Sequence, residues 1–253
     1  MTNAPRPTTL RTGTQLAAAG LAAPADIAAI DAVAARYSVA IPAGLAALID
    51  PTNADDPIAR QFVPDPAELQ IADGELEDPI GDAAHSPVRG LVHRYPDRVL
   101  LMPTMSCPVY CRYCFRRDRV GRAADAPSAD DLETAFRYIE ARPAIREVIL
   151  TGGDPLSLSD ARLARIVARL NGIAHLDGIR IHSRVPVAMP GRITDTLVAA
   201  LRGNISGLCQ PTYVVDIPGG HGKAVAQGEA VRRNADAWSL RDFQGKTHDY
   251  REN

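Results

Sequence analysis

An α/β fold built on a parallel sheet is predicted by three features of this 253-residue sequence. Short apolar runs alternate three times with amphipathic helical segments. The runs are bounded by turn-forming residues. The unusual residues, from clustered cysteines to paired glycines, fall at or just after the run ends. Such alternation favours right-handed βαβ units, and sites in these folds form beyond the C-terminal ends of the strands.

The first ninety or so residues read as helical and punctuated. In PADIAAIDAVAARY, Pro24 and Asp26 open a helix with Ile27, Ile30, Val33 and Ala34 on one face. IPAGLAALID and DPIARQFV read as shorter helices, each with a proline near its first turn. From Ala54 to Pro87 prolines and acids are frequent, and DPAELQIADGELEDPIGD reads as a wrapping, largely irregular segment. RVLLMP (98–103) is a buried strand followed at once by the cysteine loop. SADDLETAFRYIEA is a helix that Ser128 can cap, with Leu132, Ala135, Phe136 and Ile139 as its apolar stripe. EVIL is a second strand, ending in TGGDP. SDARLARIVARL is a second helix, with Leu163, Ile166, Val167 and Leu170 at helical spacing. IRIHSR is a third strand and ITDTLVAAL a third helix. Cys107, Cys111 and Cys114, then Gly152, Gly153 and Asp154, then His182, Ser183 and Arg184 thus come from three segments and converge on one rim.

Composition narrows the classes. Lys plus Arg total 28 against 30 for Asp plus Glu, so no charge excess points to nucleic acid or anionic lipid. No apolar run approaches the roughly 20 residues that span a bilayer. MTNAPRPTTLRTGTQ lacks the apolar core of a secretory signal. A cytoplasmic location is the expectation, and reduced clustered cysteines there read as metal ligands or catalysts.

CPVYCRYCFRR poses the chemical question. A structural zinc site wants four ligands and a disulfide two, whereas three thiolates can hold three irons of a [4Fe–4S] cluster and leave the fourth open to a small molecule. The C-x3-C-x2-C spacing of Cys107, Cys111 and Cys114, with Tyr113 before the last cysteine, resembles the signature of radical S-adenosylmethionine (SAM) enzymes. The resemblance implies that SAM chelates the open iron and is cleaved to a 5′-deoxyadenosyl radical. It implies that GGDP (Gly152, Gly153, Asp154) meets the SAM amino group and that Tyr113 lies near the adenine. A zinc site with Cys209 as fourth ligand is the alternative, although Cys209 lies far along the chain and is otherwise a small core residue.

GLVHRYPDRVLL, CRYCFRR, TGGDPL, RIHSRVPV, GRIT and PTYVVDIPGGHGK together resemble the lysine 2,3-aminomutase family, which uses pyridoxal 5′-phosphate (PLP) beside the cluster. The resemblance implies that Lys223 forms the PLP Schiff base. It places Arg94, Tyr95 and Arg98 around the PLP phosphate and ring, Arg116 at the substrate carboxylate, and Asp216 at the ε-ammonium of lysine. Arg117, Arg119 and Arg122 read as basic surface and His221 as a turn residue. An electron donor such as a flavodoxin or ferredoxin is implied as partner.

The same resemblance implies a long segment between ITDTLVAAL and RGNISGLCQPTYVVD that completes a six-unit partial barrel. Here the two stretches adjoin, and the join near Leu201 and Arg202 reads as an internal deletion. The expected organisation is a helical region (1–90), a truncated parallel (β/α) partial barrel of radical SAM type (91–201), and a C-terminal segment with the PLP lysine (202–253), polar and hairpin-like at its end. The third strand is expected to end the parallel sheet with an open edge, which a homo-oligomer could cover. The activity implied is interconversion of lysine and β-lysine through a SAM-derived radical on PLP-bound lysine, for free lysine or for modification of elongation factor P. Two alternatives stand beside it: a non-catalytic remnant that binds cluster or PLP without turnover, and a zinc-binding module.

Overall fold

The computed structural model describes residues 9–201 and, beyond them, the backbone of four strands between residues 205 and 251. Eight strands form one sheet in chain order: β1 (Leu91–Tyr95), β2 (Arg98–Thr104), β3 (Glu147–Gly152), β4 (Gly178–His182), β5 (Ile205–Cys209), β6 (Gly228–Asn234), β7 (Ala237–Asp242) and β8 (Thr247–Arg251). Strands β2 to β5 run parallel, while β1 pairs antiparallel with β2 and β5 to β8 pair antiparallel in succession. The three expected strands are β2, β3 and β4.

Two features depart from the sequence expectation. GLVHRYPDRVLL contains a strand of its own: β1 turns tightly through Pro96 and Asp97, with Tyr95 opposite Arg98. The parallel sheet also does not end at β4. Strand β5 lies beside it, with Ile179 opposite Ile205 and His182 opposite Cys209. An unpaired parallel edge presents a row of backbone donors and acceptors, and the next extended segment after the crossover satisfies them. The antiparallel β6 to β8 agree with a hairpin-like C-terminal segment.

Among the described residues, four short helices precede the sheet: α1 (Gly13–Ala18), α2 (Ile27–Arg36), α3 (Ala43–Ala46) and α4 (Ala59–Phe62). Thr12 caps α1 reciprocally with Gln15. A 3-10 turn at Pro24–Asp26 leads into α2, which buries Ile30 and Val33 and half-buries Ile27 and Ala34. Leu16, Ile30, Ile41, Leu45 and Phe62 form a core into which Val109 of the cysteine loop inserts. Residues 63–90 are largely irregular, with 3-10 turns at Pro66–Leu69 and Ala83–His85.

The crossovers are α5 (Ala129–Glu140), α6 (Asp160–Asn171), and the pair α7 (Val185–Ala188) and α8 (Asp195–Ala200). Ser128 caps α5 by accepting from the Asp131 amide, and the Asp131 carboxylate accepts from the Ser128 amide in return. The period-two alternation of strands divides the sheet residues between two faces. Val99, Leu101, Val148, Leu150, Ile179 and Ile181 pack against the stripes of α5 and α6 predicted from helical spacing. The alternate residues Leu100, Ile149 and Thr151 face a cavity on the other side.

Ile139 is fully buried on the inner face of α5. Ile139→Ala is expected to destabilise the fold by about 2–5 kcal/mol through lost burial and the residual cavity, measured as a lower urea midpoint with unchanged m-value.

Candidate functional site

The ends of β2, β3 and β4 open into a cavity of about 510 Å³ on the face of the sheet opposite α5 and α6. Cys107, Cys111, Cys114, Tyr113, Arg116, Gly152, Gly153, Asp154, Arg94, Tyr95 and Arg98 all line it. The structure therefore brings together every sequence-predicted site residue within 9–201. Lys223 and Asp216 lie outside the described residues.

The cysteine loop is held from behind by the N-terminal region. The Tyr110 amide donates to the Ala40 carbonyl at 3.3 Å and the Arg112 amide to the Gln61 carbonyl at 2.8 Å. The Arg112 guanidinium makes a buried two-pronged pair with Glu68 at 2.6 and 2.9 Å and also reaches the Ser38 carbonyl. Such planar forks fix orientation as well as charge. The three thiols are half-buried. Burial pushes all three pKa values up, Cys107 the furthest, with the Asp154 charge adding to it. Arg184 pulls Cys111 back down, and Arg116 does so for Cys114. Metal or cluster binding at this loop must displace those protons. Among the described residues no three His, Cys, Asp or Glu side chains gather around one ion-sized point. A cluster makes a different demand, since each thiolate meets a different iron. Three free thiols on one loop, lining one cavity, fit it.

The paired glycines are required by the protein's own packing. Gly152 has φ +105°, and a Cβ there would sit 2.7 Å from Met102 Cβ and 2.8 Å from the Thr104 carbonyl oxygen. At Gly153 a Cβ would lie 2.5 Å from the Ser106 carbonyl oxygen. Their absence lets the loop after β3 lie against the segment leading to Cys107, where the Gly153 amide bonds Thr104 and the Asp154 amide bonds Ser106, each at 2.8 Å.

Asp154 is only 3 % exposed, and its carboxylate is filled from within the chain. Oδ1 accepts from the Leu156 amide (3.0 Å) and the Ser183 hydroxyl (2.8 Å). Oδ2 accepts from the amides of Arg184 (2.6 Å) and Val185 (3.2 Å). A carboxylate offers about four such positions, so ligand contacts from this stretch fall to its backbone. Burial pushes the Asp154 pKa up against the pull of those donors. The loop so anchored directs Arg184 to the Tyr113 hydroxyl, which in turn donates to Gln61 at 3.3 Å.

Arg98 stacks over Tyr95 at 4.8 Å, and Arg94 donates to the Ile80 carbonyl. Arg116 is 8 % exposed, stacks over Phe115, and donates through Nε to Asp82 at 2.7 Å. Asp82, which the sequence reading did not single out, also lines the cavity. It lies in the irregular segment, where no periodicity marks it. His182, at the end of β4, also lines the cavity. Its Nε2 is buried with no hydrogen-bond partner among the described residues, and burial followed by the Arg180 and Arg116 charges lowers its pKa from 6.5 to about 4. Arg117 and Arg119 are paired with Glu75 and Asp125.

A parallel sheet carries three thiols, a Gly-Gly-Asp turn and arginines at one rim, and the radical SAM superfamily profile matches residues 101–205. A lysine-2,3-aminomutase profile matches 198–253, meeting the first with no intervening segment, consistent with an internal deletion. The chain is 46 % identical to L-lysine 2,3-aminomutase of Clostridium subterminale over 155 residues, which are 61 % of this chain and 37 % of that protein. It is 38 % identical to the L-lysine 2,3-aminomutase of Escherichia coli over 162 residues (64 % and 47 %), and 36 % identical to a glutamate 2,3-aminomutase of Clostridioides difficile over 173 residues (68 % and 41 %). The chain is thus similar to the lysine 2,3-aminomutase family in both its matched profiles and these relatives. It spans less than half the length of these relatives. The matched profile and these relatives imply a [4Fe–4S] cluster, SAM and PLP. No helix among the described residues is long and apolar enough to cross a membrane.

Two outcomes test this geometry. Asp154→Ala strands three buried amides and a hydroxyl, and is expected to destabilise the fold by about 3–5 kcal/mol. Amide hydrogen exchange at Arg184 and Val185 should accelerate ahead of exchange in α5. For His182, the unfolded chain takes up a proton between pH 6.5 and about 4 that the folded chain refuses, so stability falls as pH falls through that window. His182→Gln is expected to flatten the dependence of the urea midpoint on pH there, by an amount of about 1–3 kcal/mol.

Proposed function

We propose that this chain is a cofactor-binding aminomutase of the lysine type, with turnover limited by the absent part of its cavity wall. Cys107, Cys111 and Cys114 hold the [4Fe–4S] cluster. The backbone of Gly152 and Gly153, with Tyr113, faces SAM. Arg94, Tyr95 and Arg98 face the phosphate and ring of PLP, and Arg116 the substrate carboxylate. Lys223, as the PLP lysine, and Asp216, opposite the side-chain ammonium of lysine, belong to this reading from the family pattern. The supporting observation is the meeting of residues from β1, the cysteine loop and the ends of β3 and β4 on one cavity.

When bound, the cluster and SAM supply a hydrogen-abstracting radical, and PLP supplies electronic stabilisation of the migrating amine. The chain's own residues bind and orient. Arginines suit the phosphate and carboxylate through their planar donor forks. Tyr113 and Arg184 brace the rim beside the thiols. A buried carboxylate such as Asp216 would favour lysine over glutamate, whose side chain it repels. The donor of the electron is of the flavodoxin or ferredoxin kind, and the setting is cytoplasmic. A homo-oligomer would not restore the pocket, since a second copy lacks the same segment.

Reacting atoms must be held within about 3–3.5 Å, and a lost positioning contact costs orders of magnitude in rate. Where family members carry further barrel units, this chain passes from α8 into β5 and an antiparallel extension. Little or no conversion of lysine to β-lysine is therefore expected from the purified, reconstituted chain, and vigorous turnover in an anaerobic assay would show the missing units to be dispensable. Cofactor binding should persist. Each of Cys107→Ala, Cys111→Ala and Cys114→Ala is expected to lose most of the bound iron and sulfide, quantified per chain. Lys223→Ala should lose the absorbance of protein-linked PLP, and an unchanged spectrum would assign the cofactor to another lysine.

A further inference from the structure

The chain segment before β1 places a carboxylate in the cavity wall that no role above uses. Asp82 is 3 % exposed. Its backbone is fixed by Asp78, whose carboxylate accepts from the amides of Asp82 (2.9 Å) and Ala83 (2.7 Å). Its side chain then meets two arginines. Oδ2 accepts from Arg116 Nε at 2.7 Å, and Oδ1 lies 3.8 Å from Arg94 Nη2, buried and without a hydrogen bond among the described residues.

Two guanidinium groups around one carboxylate leave a net positive charge on this wall. A buried guanidinium without a partner is strongly disfavoured, so Asp82 stabilises Arg116 in place. It does so through Nε alone. A guanidinium has five N–H donors in a rigid fork, and no described residue takes the terminal nitrogens of Arg116. Pairing at Nε fixes the plane of the fork and leaves its outer edge for another anion. Phe115, stacked 4.7 Å from the same guanidinium, restrains it further.

We propose that Asp82 is a positioning residue: it holds Arg116 by the Nε–H so that the terminal nitrogens present a two-pronged donor to a ligand carboxylate, and it draws Arg94 to the same wall. This deepens the reading of Arg116 as the carboxylate-facing arginine and rests on it.

The test uses the whole chain with its cluster, arginine side-chain NMR with the Arg116 signal assigned by Arg116→Lys, and acetate as the probe. In the wild type the Arg116 Nε–H should exchange slowly with water, and acetate should shift its signal saturably. Asp82→Asn should abolish the slow exchange and weaken acetate about tenfold, the scale of one hydrogen bond to a charged group. Wild-type exchange as fast as that of exposed arginines, no acetate response, or equal acetate affinity in Asp82→Asn would each overturn the proposal. Should Asp82→Asn fail to fold, the two wild-type measurements decide alone. Acetate carries no amine and needs neither PLP nor Lys223, so a wild type that ignores lysine but answers acetate at Arg116 would count against the aminomutase reading and for the role of Asp82.

Discussion

Two neighbouring parallel strands, β3 and β4, end in loops whose amides have no ladder partner, and one buried carboxylate supplies four acceptor positions to them. Asp154 takes bonds from Leu156 in its own loop and from Ser183, Arg184 and Val185 in the next. Buried backbone donors must be satisfied, and here they are satisfied by the residue that follows the two glycines. The glycines in turn press this loop onto the strand end that leads to Cys107. Cysteine loop, Gly-Gly-Asp turn and β4 loop therefore form one braced rim. A shift in any of them strains the other two, which suits a site that must hold several ligands at fixed separations.

The sheet gives this rim its two environments. Alternate strand residues point to opposite faces, so the residues that bury against α5 and α6 interleave with those that line the cavity. On the cavity side Val92, Met102, Met105 and Val120 pack with Cys107 and Cys114. The thiols thus sit at the border between an apolar floor and a wall of arginines. Burial raises their pKa values while Arg116 and Arg184 oppose it. Burial favours a ligand that compensates the thiolate charge as it replaces the protons, and the two arginines ease the loss of those protons.

The shortened sheet remains satisfied because hydrogen bonding between strands is indifferent to sequence. With the later barrel units absent, β5 pairs with β4 and an antiparallel extension follows. Backbone pairing solves the problem of the edge. That pairing uses the backbone alone, whatever side chains the paired segment carries.

Local pattern was legible in the sequence. Helical spacing located the stripes of α5 and α6, Ser128 marked a cap, and strand ends placed the cysteines, glycines and His182 on one rim. Each depends on neighbours within a turn or two, where steric and hydrogen-bonding preferences act directly. Strand β1 was hidden within a motif because its partner β2 is what makes it a strand. The covering of β4 by β5 could not be read either, since a segment's edge partner leaves no mark on its own periodicity. The ion pair of Asp82 with Arg116 joins residues 34 positions apart, one of them in a segment without repeating pattern. The sequence by itself determined strands β2 to β4, the stripes of α5 and α6 and the thiol spacing, because these arise from short-range geometry. The tertiary structure alone decided which carboxylate braces the rim and which holds the arginine, because burial and partnership exist only once distant segments are packed together.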